Sequence, residues 1–247
     1  MSRAIPACGV WPVTAVLSER SDHTGSESWS SLRVFLLTLT FVTGLVDAVS
    51  ILGLGHVFTA NMTGNIVFLA FAAAGAEGFS VGRSLTALVA FLGGAVLGGN
   101  FGLRMTAESP QRWLRKAALF EATLLLMAGL VFVGLPAEQA ATVFRLYAVI
   151  VLTAIAMGFR NATVRRLAVP DLTTTVLTLT LTGLVADSSL AGGKNTRIGT
   201  RAASIVSMFL GAVAGAILLR LGTAVPLFLG GTVVLIGAIA LSKDEQR

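Results

Sequence analysis

Between Leu32 and Leu241 the chain is a near-continuous succession of apolar stretches. They run Leu32 to Leu54, Val57 to Gly75, Leu85 to Leu103, Ala117 to Leu135, Val143 to Phe159, Leu172 to Leu190, Ile205 to Leu219 and Ala224 to Leu241. A helix needs about 20 apolar residues to cross a hydrocarbon core roughly 30 Å thick, and these stretches approach that length with only short connections between them. Inside hydrocarbon each backbone N–H and C=O must be bonded within its own segment, so helix is the expected secondary structure. Composition agrees: 55% of the 247 residues are hydrophobic and only 12% charged, against about 25% charged in an ordinary soluble domain. The expected fold class is an all-α polytopic membrane helix bundle, one membrane domain over 32–241, with cytoplasmic tails at 1–31 and 242–247.

The charge balance narrows the partners. A net charge of +6 from 18 basic and 12 acidic residues would suggest nucleic acid in a soluble protein. In a membrane protein it reflects basic loops facing an anionic cytoplasmic leaflet, so membrane lipid is the expected partner and nucleic acid is not. Cys8 is the single cysteine, which excludes an intrachain disulfide and a multi-thiolate metal site. The weak apolar run Ala4 to Leu17 is interrupted by Pro6 and Pro12 and preceded only by Arg3. It reads as a tail rather than a cleaved signal peptide, with Trp29 available as an interfacial anchor.

Eight stretches need not make eight crossings. If all eight cross, the basic residues divide almost evenly between the two faces. If Val57–Gly75 and Leu172–Leu190 instead enter the membrane and return as re-entrant or broken segments, only Arg83, Arg145 and Arg220 lie outside. The clusters Arg104 to Lys116, Arg160 to Arg166 and Lys194 to Arg201 then all lie inside, as short basic loops prefer. Six crossings plus two non-crossing segments is the favoured arrangement, with eight crossings as the alternative.

An internal repeat selects the same two segments. Gly44-Leu45-Val46-Asp47-Ala48 resembles Gly158-Phe159-Arg160-Asn161-Ala162, Asn61-Met62-Thr63 corresponds to Asp171-Leu172-Thr173, and Gly94-Ala95-Val96-Leu97-Gly98 is echoed by Gly211-Ala212-Val213-Ala214-Gly215. The order is kept, which suggests an internal duplication with repeats 32–135 and 143–241. Three crossings per half would invert the second half relative to the first, a recurring transporter design.

The run Gly44 to Ala48, followed by Gly55-His56-Val57-Phe58-Thr59-Ala60-Asn61-Met62-Thr63-Gly64-Asn65, resembles the YoaK-type bacterial membrane proteins of the DUF1275 family. The second half is similar to the same family at Gly158 to Ala162 and in the Thr-rich region after Asp171. The resemblance covers about Leu32 to Leu241. It implies a multi-pass protein of the bacterial inner membrane and brings no activity with it. Thr173-Thr174-Thr175 stands where Thr63-Gly64-Asn65 would recur, so the two halves differ at that point.

Asp47 is the sharpest functional candidate, because a carboxylate deep in an apolar segment is costly unless protonated, paired or hydrated, and such groups mark ion or proton paths. Its expected partners are His56, Asn61 and a basic side chain of the other repeat; a structural hydrogen-bonding carboxyl is the plain alternative. Asn61, Thr63 and Asn65 open the second segment, where Asn61 suits an N-cap and Gly55 and Gly64 permit tight turns. Asn161 holds the place of Asp47 in the matching run of the second half. Thr174, Thr178 and Thr182 recur every fourth residue, giving either a polar path or hydroxyls bonded to their own helix. Gly94, Gly98, Gly211 and Gly215 allow close helix packing, within the chain or in a homodimer. Glu121 and Arg145 are expected at segment ends, on the surface.

Catalytic signatures are weak. His23 lies in the tail, His56 has no clustered ligands, Cys8 has no neighbouring base, and no phosphate-binding loop occurs. No enzymatic activity, cofactor or metal is expected. The leading functional expectation is a small secondary permease or exporter for a small solute or ion, coupled through Asp47. The alternative is a membrane interaction or scaffold protein using Gly-rich helix faces.

Overall fold

The computed structural model describes residues 23–105, 108–134, 139–167, 174–175, 177–193 and 197–244. The expectations for Cys8, the apolar run Ala4 to Leu17 and Asp171 lie outside these, as does that for the side chain of Trp29. Eight α-helices follow in order: α1 His23–Ala48, α2 Met62–Ala73, α3 Val81–Arg104, α4 Pro110–Gly134, α5 Gln139–Leu167, α6 Thr178–Ala186, α7 Ile198–Leu218 and α8 Ala224–Asp244. A π-helical turn, Val49–Gly53, prolongs α1, and a 3-10 turn, Leu219–Leu221, prolongs α7. The fold class expected from the sequence is the one observed.

Six helices are long and apolar enough to span a membrane: Ser31–Gly53, Val81–Arg104, Pro110–Val133, Thr142–Leu167, Ile198–Leu221 and Ala224–Ser242. The other two are not. At 1.5 Å per residue, α2 and α6 extend only about 18 and 14 Å, roughly half of the hydrocarbon thickness. The two apolar stretches singled out for not crossing are therefore the two that form half-length helices. Each is shorter than its stretch, because Val57 to Asn61, and Thr174, Thr175 and Leu177 among the described residues before Thr178, are not helical.

Span, half-helix, span, span occurs twice in succession. Three spans per half place the start of α1 and the start of α5 on opposite faces. The ends of α3 and α5 and the start of α4 share a face that carries Arg104, Arg112, Arg115, Lys116, Arg165 and Arg166, the kind of basic cluster expected on the cytoplasmic side. Glu108, in the α3–α4 turn, accepts from Lys116 at 3.2 Å and Arg112 at 3.5 Å, and the Lys116 ammonium holds its carboxyl below the ordinary range.

In lipid, apolar surface gains little by leaving one hydrocarbon environment for another, so helix association rests on close packing and interhelical bonds. Glycine supplies the close packing. A Cβ at Gly44 of α1 would strike the Met208 carbonyl of α7, and one at Gly211 of α7 would strike the Phe41 carbonyl of α1. In the other half a Cβ at Gly158 of α5 would strike the Phe91 carbonyl of α3, and one at Gly94 would strike that of Ile155. Gly98 lies over Phe159 and Ala162 as Gly215 lies over Leu45 and Ala48. Each residue in one set has its counterpart in the other at an offset that is constant within each helix pair, Gly44 with Gly158 and Phe41 with Ile155 between α1 and α5, Gly94 with Gly211 and Phe91 with Met208 between α3 and α7. The helix pairs follow the same rule, α1 with α7 and α3 with α5, α1 with α8 and α5 with α4, while α4 packs on α8. All four glycines expected at helix contacts are thus used within the chain.

α1 is the central helix, with 67% of its span buried, against 22% for α3 and 17% for α7 at the periphery. Leu36, Leu39, Val46, Leu125, Met157 and Val234 form the larger apolar core, and Val49, Leu54, Val149, Ile150 and Leu227 a second. The outer faces of α3 and α7 show Val89, Val96, Val206 and Phe209, as lipid contact requires. Asn100 is exposed there rather than bonded across a helix contact.

Candidate functional site

The centre of the bundle is polar. On α1, Thr40, Thr43, Asp47 and Ser50 recur at spacings of three and four, which places them on one helical face. Thr40, Thr43 and Ser50 are fully buried. Arg160 of α5 points into this stripe and is 2% exposed, while Glu121 of α4 is 1% exposed.

Arg160 is the hub. Its Nη1 donates to Glu121 Oε1 at 3.0 Å and to the Leu39 carbonyl at 2.9 Å, and its Nη2 donates to Thr43 Oγ1 at 2.6 Å and lies 2.8 Å from Met157 Sδ. Thr43 Oγ1 is also 2.6 Å from the Thr174 carbonyl and 3.0 Å from that of Leu39. A hydroxyl has one proton. The guanidinium can only donate, so Thr43 accepts from Arg160 and spends its own proton on a carbonyl, that of Thr174 being the nearer. Two spanning helices, α1 and α5, and the segment before α6 meet at this one hydroxyl, and α4 joins them through the guanidinium of Arg160.

Thr174 holds its carbonyl there with φ of 61°, a left-handed conformation that a β-branched residue adopts only when its surroundings impose it. Beside it, Thr175 Oγ1 donates to Asn161 Oδ1 at 2.8 Å. Asn161 stands on α5 where Asp47 stands on α1, at the offset of the glycine contacts, so one half presents an amide and the other a carboxyl.

The charges do not balance. Arg160 interacts electrostatically with both Glu121 and Asp47, so one guanidinium faces two carboxyls. Asp47 Oδ1 is buried and has no hydrogen-bond partner among the described residues, and the same holds of Thr174 Oγ1 and Arg160 Nε. A buried net charge in low dielectric costs far more than any single contact returns. With all three groups ionised the cluster would carry one negative charge in excess, which one further positive charge would offset.

Several expectations change here. Arg160, grouped by sequence with the cytoplasmic Arg165 and Arg166, belongs to the core, because α5 runs on to Leu167 without a loop at Phe159. Glu121, expected at the surface, is buried, because α4 begins at Pro110, well before its apolar stretch. Of the partners proposed for Asp47, the basic side chain of the other half is present as Arg160. His56 is exposed, has φ of 58°, and its ring lies tilted, 5.9 Å from that of Phe79. Asn61 takes the N-cap position of α2 without a side-chain bond. Thr63 is exposed, and Asn65 clamps Phe58, accepting its N–H at 2.8 Å and donating to its carbonyl at 2.5 Å. Thr178 and Thr182 are exposed, and Thr182 Oγ1 donates to the Thr178 carbonyl at 2.9 Å. They form no polar path with buried Thr174, which precedes the helix.

The sequence reading passed over Thr43, Glu121 and Arg160. Two signals were available: Thr43 lies one turn before Asp47, and Arg160-Asn161 occupies the stretch that matches Val46-Asp47.

A family model described as "Protein of unknown function (DUF1275)" matches residues 35–240. The UPF0700 transmembrane protein YoaK of Bacillus subtilis (strain 168) is 35% identical over 161 residues, 65% of this chain and 69% of that protein. No solved structure matches.

Proposed function

This chain belongs to the DUF1275 family, and from that premise and its buried cluster we propose that it is a small secondary permease or exporter of the bacterial inner membrane. One positive charge, a proton or monovalent cation, is taken up at Asp47 in each cycle. The observation that carries this reading is a second carboxyl, that of Asp47, near the buried Arg160–Glu121 ion pair, one of its oxygens being buried with no described partner. Ionisable groups inside a membrane mark transport paths. The inverted duplication supports it: two halves packed through equivalent glycine contacts can exchange roles by rocking about the Gly44–Met208 and Gly158–Phe91 crossings. Asn161 in place of a second carboxylate makes the uptake single rather than double.

The scaffold reading loses the glycines it relied on, since Gly94, Gly98, Gly211 and Gly215 all face helices of the same chain.

The test is accumulation in everted vesicles of a panel of labelled amino acids, sugars, nucleosides and monovalent cations under an imposed proton or sodium gradient. Native protein should concentrate at least one of them, and Asp47→Asn should reduce concentration to passive equilibration. Gradient-driven accumulation that survives Asp47→Asn rejects the coupling role. No accumulation of any member rejects the permease.

A further inference from the structure

Each half carries an arginine in the first turn of its second span, and each arginine grips a glycine of the half-helix region before it. Arg83 of α3 donates through Nη1 to the Gly55 carbonyl at 2.8 Å and reaches that of Leu54 at 3.5 Å. Arg201 of α7 donates through Nη1 to the Gly183 carbonyl and pairs with Asp187 at 2.7 Å. The glycines matter in both places. A Cβ at Gly55 would collide with the Arg83 guanidinium, and one at Gly183 would lie 2.9 Å from that of Arg201. Gly55 also has φ of 82°, a conformation that L side chains avoid.

The two contacts occupy matching places in the two halves. Gly55 and Arg83 lie between the end of the first span and the start of the second, whereas Gly183 and Arg201 occupy that place three spans later. An odd number of crossings separates them, so they sit on opposite faces, the first outside and the second cytoplasmic. Both hold a half-length segment whose remaining attachment is slight: α2 packs on α3, and α6 on α7. The second segment leads directly to Thr174, whose carbonyl binds Thr43 in the central cluster. An arginine–carbonyl bond is charge-assisted, yet it can be exchanged for water at low cost at a membrane face.

We propose that Arg83 and Arg201 are the outer and inner latches of the central site, each locking a half-helix segment over one face of the bundle. With both latches made, Asp47 Oδ1, Thr174 Oγ1 and Arg160 Nε are shut off from water, the occluded state of an alternating-access cycle. Releasing the Arg83 latch opens the site outward, and releasing the Arg201 latch opens it inward. This assignment deepens the permease reading and rests on it for its purpose, but its geometry is testable without any solute.

The test uses the full chain with Cys8→Ser and one reporter cysteine at a buried α1 position, Ser50→Cys toward the outer face or Thr40→Cys toward the inner. Reaction with a membrane-impermeant maleimide is followed from each side, in right-side-out and inside-out vesicles. Arg83→Gln should raise Ser50→Cys labelling from outside by about tenfold, the shift in open population that losing one charge-assisted hydrogen bond produces. Arg201→Gln should do the same for Thr40→Cys from the cytoplasmic face alone. Arg83→Lys and Arg201→Lys, which keep a charged donor where glutamine offers only a neutral one, should restore most of the protection. Should Arg201→Gln fail to reach the membrane, Gly183→Ala serves instead, since its methyl displaces the guanidinium while leaving the helix intact. Unchanged labelling in the Gln variants overturns the proposal, as does an increase from both faces in either one, which would mean general loosening. Because labelling needs no transport, the latches can fail while the coupling role of Asp47 stands, or stand while it fails.

Discussion

Arg160 puts a fixed positive charge at the centre of a bundle that has two carboxyls within its reach, and the energetics of the three residues are unequal. Removing one partner of a buried ion pair costs about 3–5 kcal/mol because the other is left uncompensated. Arg160→Met should therefore destabilise the protein by that amount, measured by denaturation in detergent micelles with circular dichroism. Asp47→Asn should fall within about 1 kcal/mol of the native protein, since it removes the carboxyl with an unpartnered oxygen and relieves a buried charge excess. Equal losses in the two variants would show that Asp47 is a structural member of the cluster rather than the group left open for a proton or cation. Asp47 was legible because one acid in an apolar run stands out. Glu121 and Arg160 were not, because each lies just at the edge of an apolar stretch, where a charge reads as a loop residue. Only the extension of α4 back to Pro110 and of α5 on to Leu167 draws them into the membrane.

Helix pairs in this molecule are spaced by glycine, and glycines of one helix differ in what surrounds them. Gly94 meets the Ile155 backbone, whereas Gly93 and Gly99 of the same helix have nothing within 4 Å of an added Cβ. Gly94→Ala should therefore push α3 off α5 and lower stability by about 1–3 kcal/mol, the usual effect of overpacking. Gly93→Ala and Gly99→Ala should be neutral or stabilising by up to about 1 kcal/mol, because alanine is the better helix former. Thermal unfolding of the three variants in one detergent tests the contrast, and the same pattern is expected at Gly211 against Gly199. A further contrast belongs to α2. Asn65 holds both backbone groups of Phe58, so Asn65→Ala should free the Gly55–Asn61 turn and raise amide hydrogen exchange there, with α4 and α8 unaffected. The six spans could be read from hydropathy, and the duplicated glycine runs from their spacing. The short extent of α2 and α6 could not, since an apolar run gives no sign of where a non-helical approach ends and a half-helix begins.

Topology decides whether the whole molecule works as two opposed halves. With six spans the 74–80 turn and the 188–193 turn lie on opposite faces; with eight they would lie on the same face, because four crossings would separate them. Glu77 and Ser189 are exposed positions in these turns, and neither has a role in the central cluster. In a Cys8→Ser background, Glu77→Cys should react with an impermeant maleimide only in right-side-out vesicles, and Ser189→Cys only in inside-out vesicles. Both reacting from one side would reject the inverted arrangement, and with it the opposed latches at Arg83 and Arg201. The reverse sidedness would keep the inversion but flip the molecule, placing Arg104, Arg112, Arg165 and Arg166 outside against the preference of basic loops. Inversion matters because it gives two nearly equivalent packings of the same helices. If α1 against α7 and α3 against α5 make the same glycine contacts, exchanging their local geometries carries the molecule from one-sided access to the other at little net cost. In the proposed permease the carboxyl of Asp47, matched in the other half by the amide of Asn161, gives that exchange its dependence on a single positive charge.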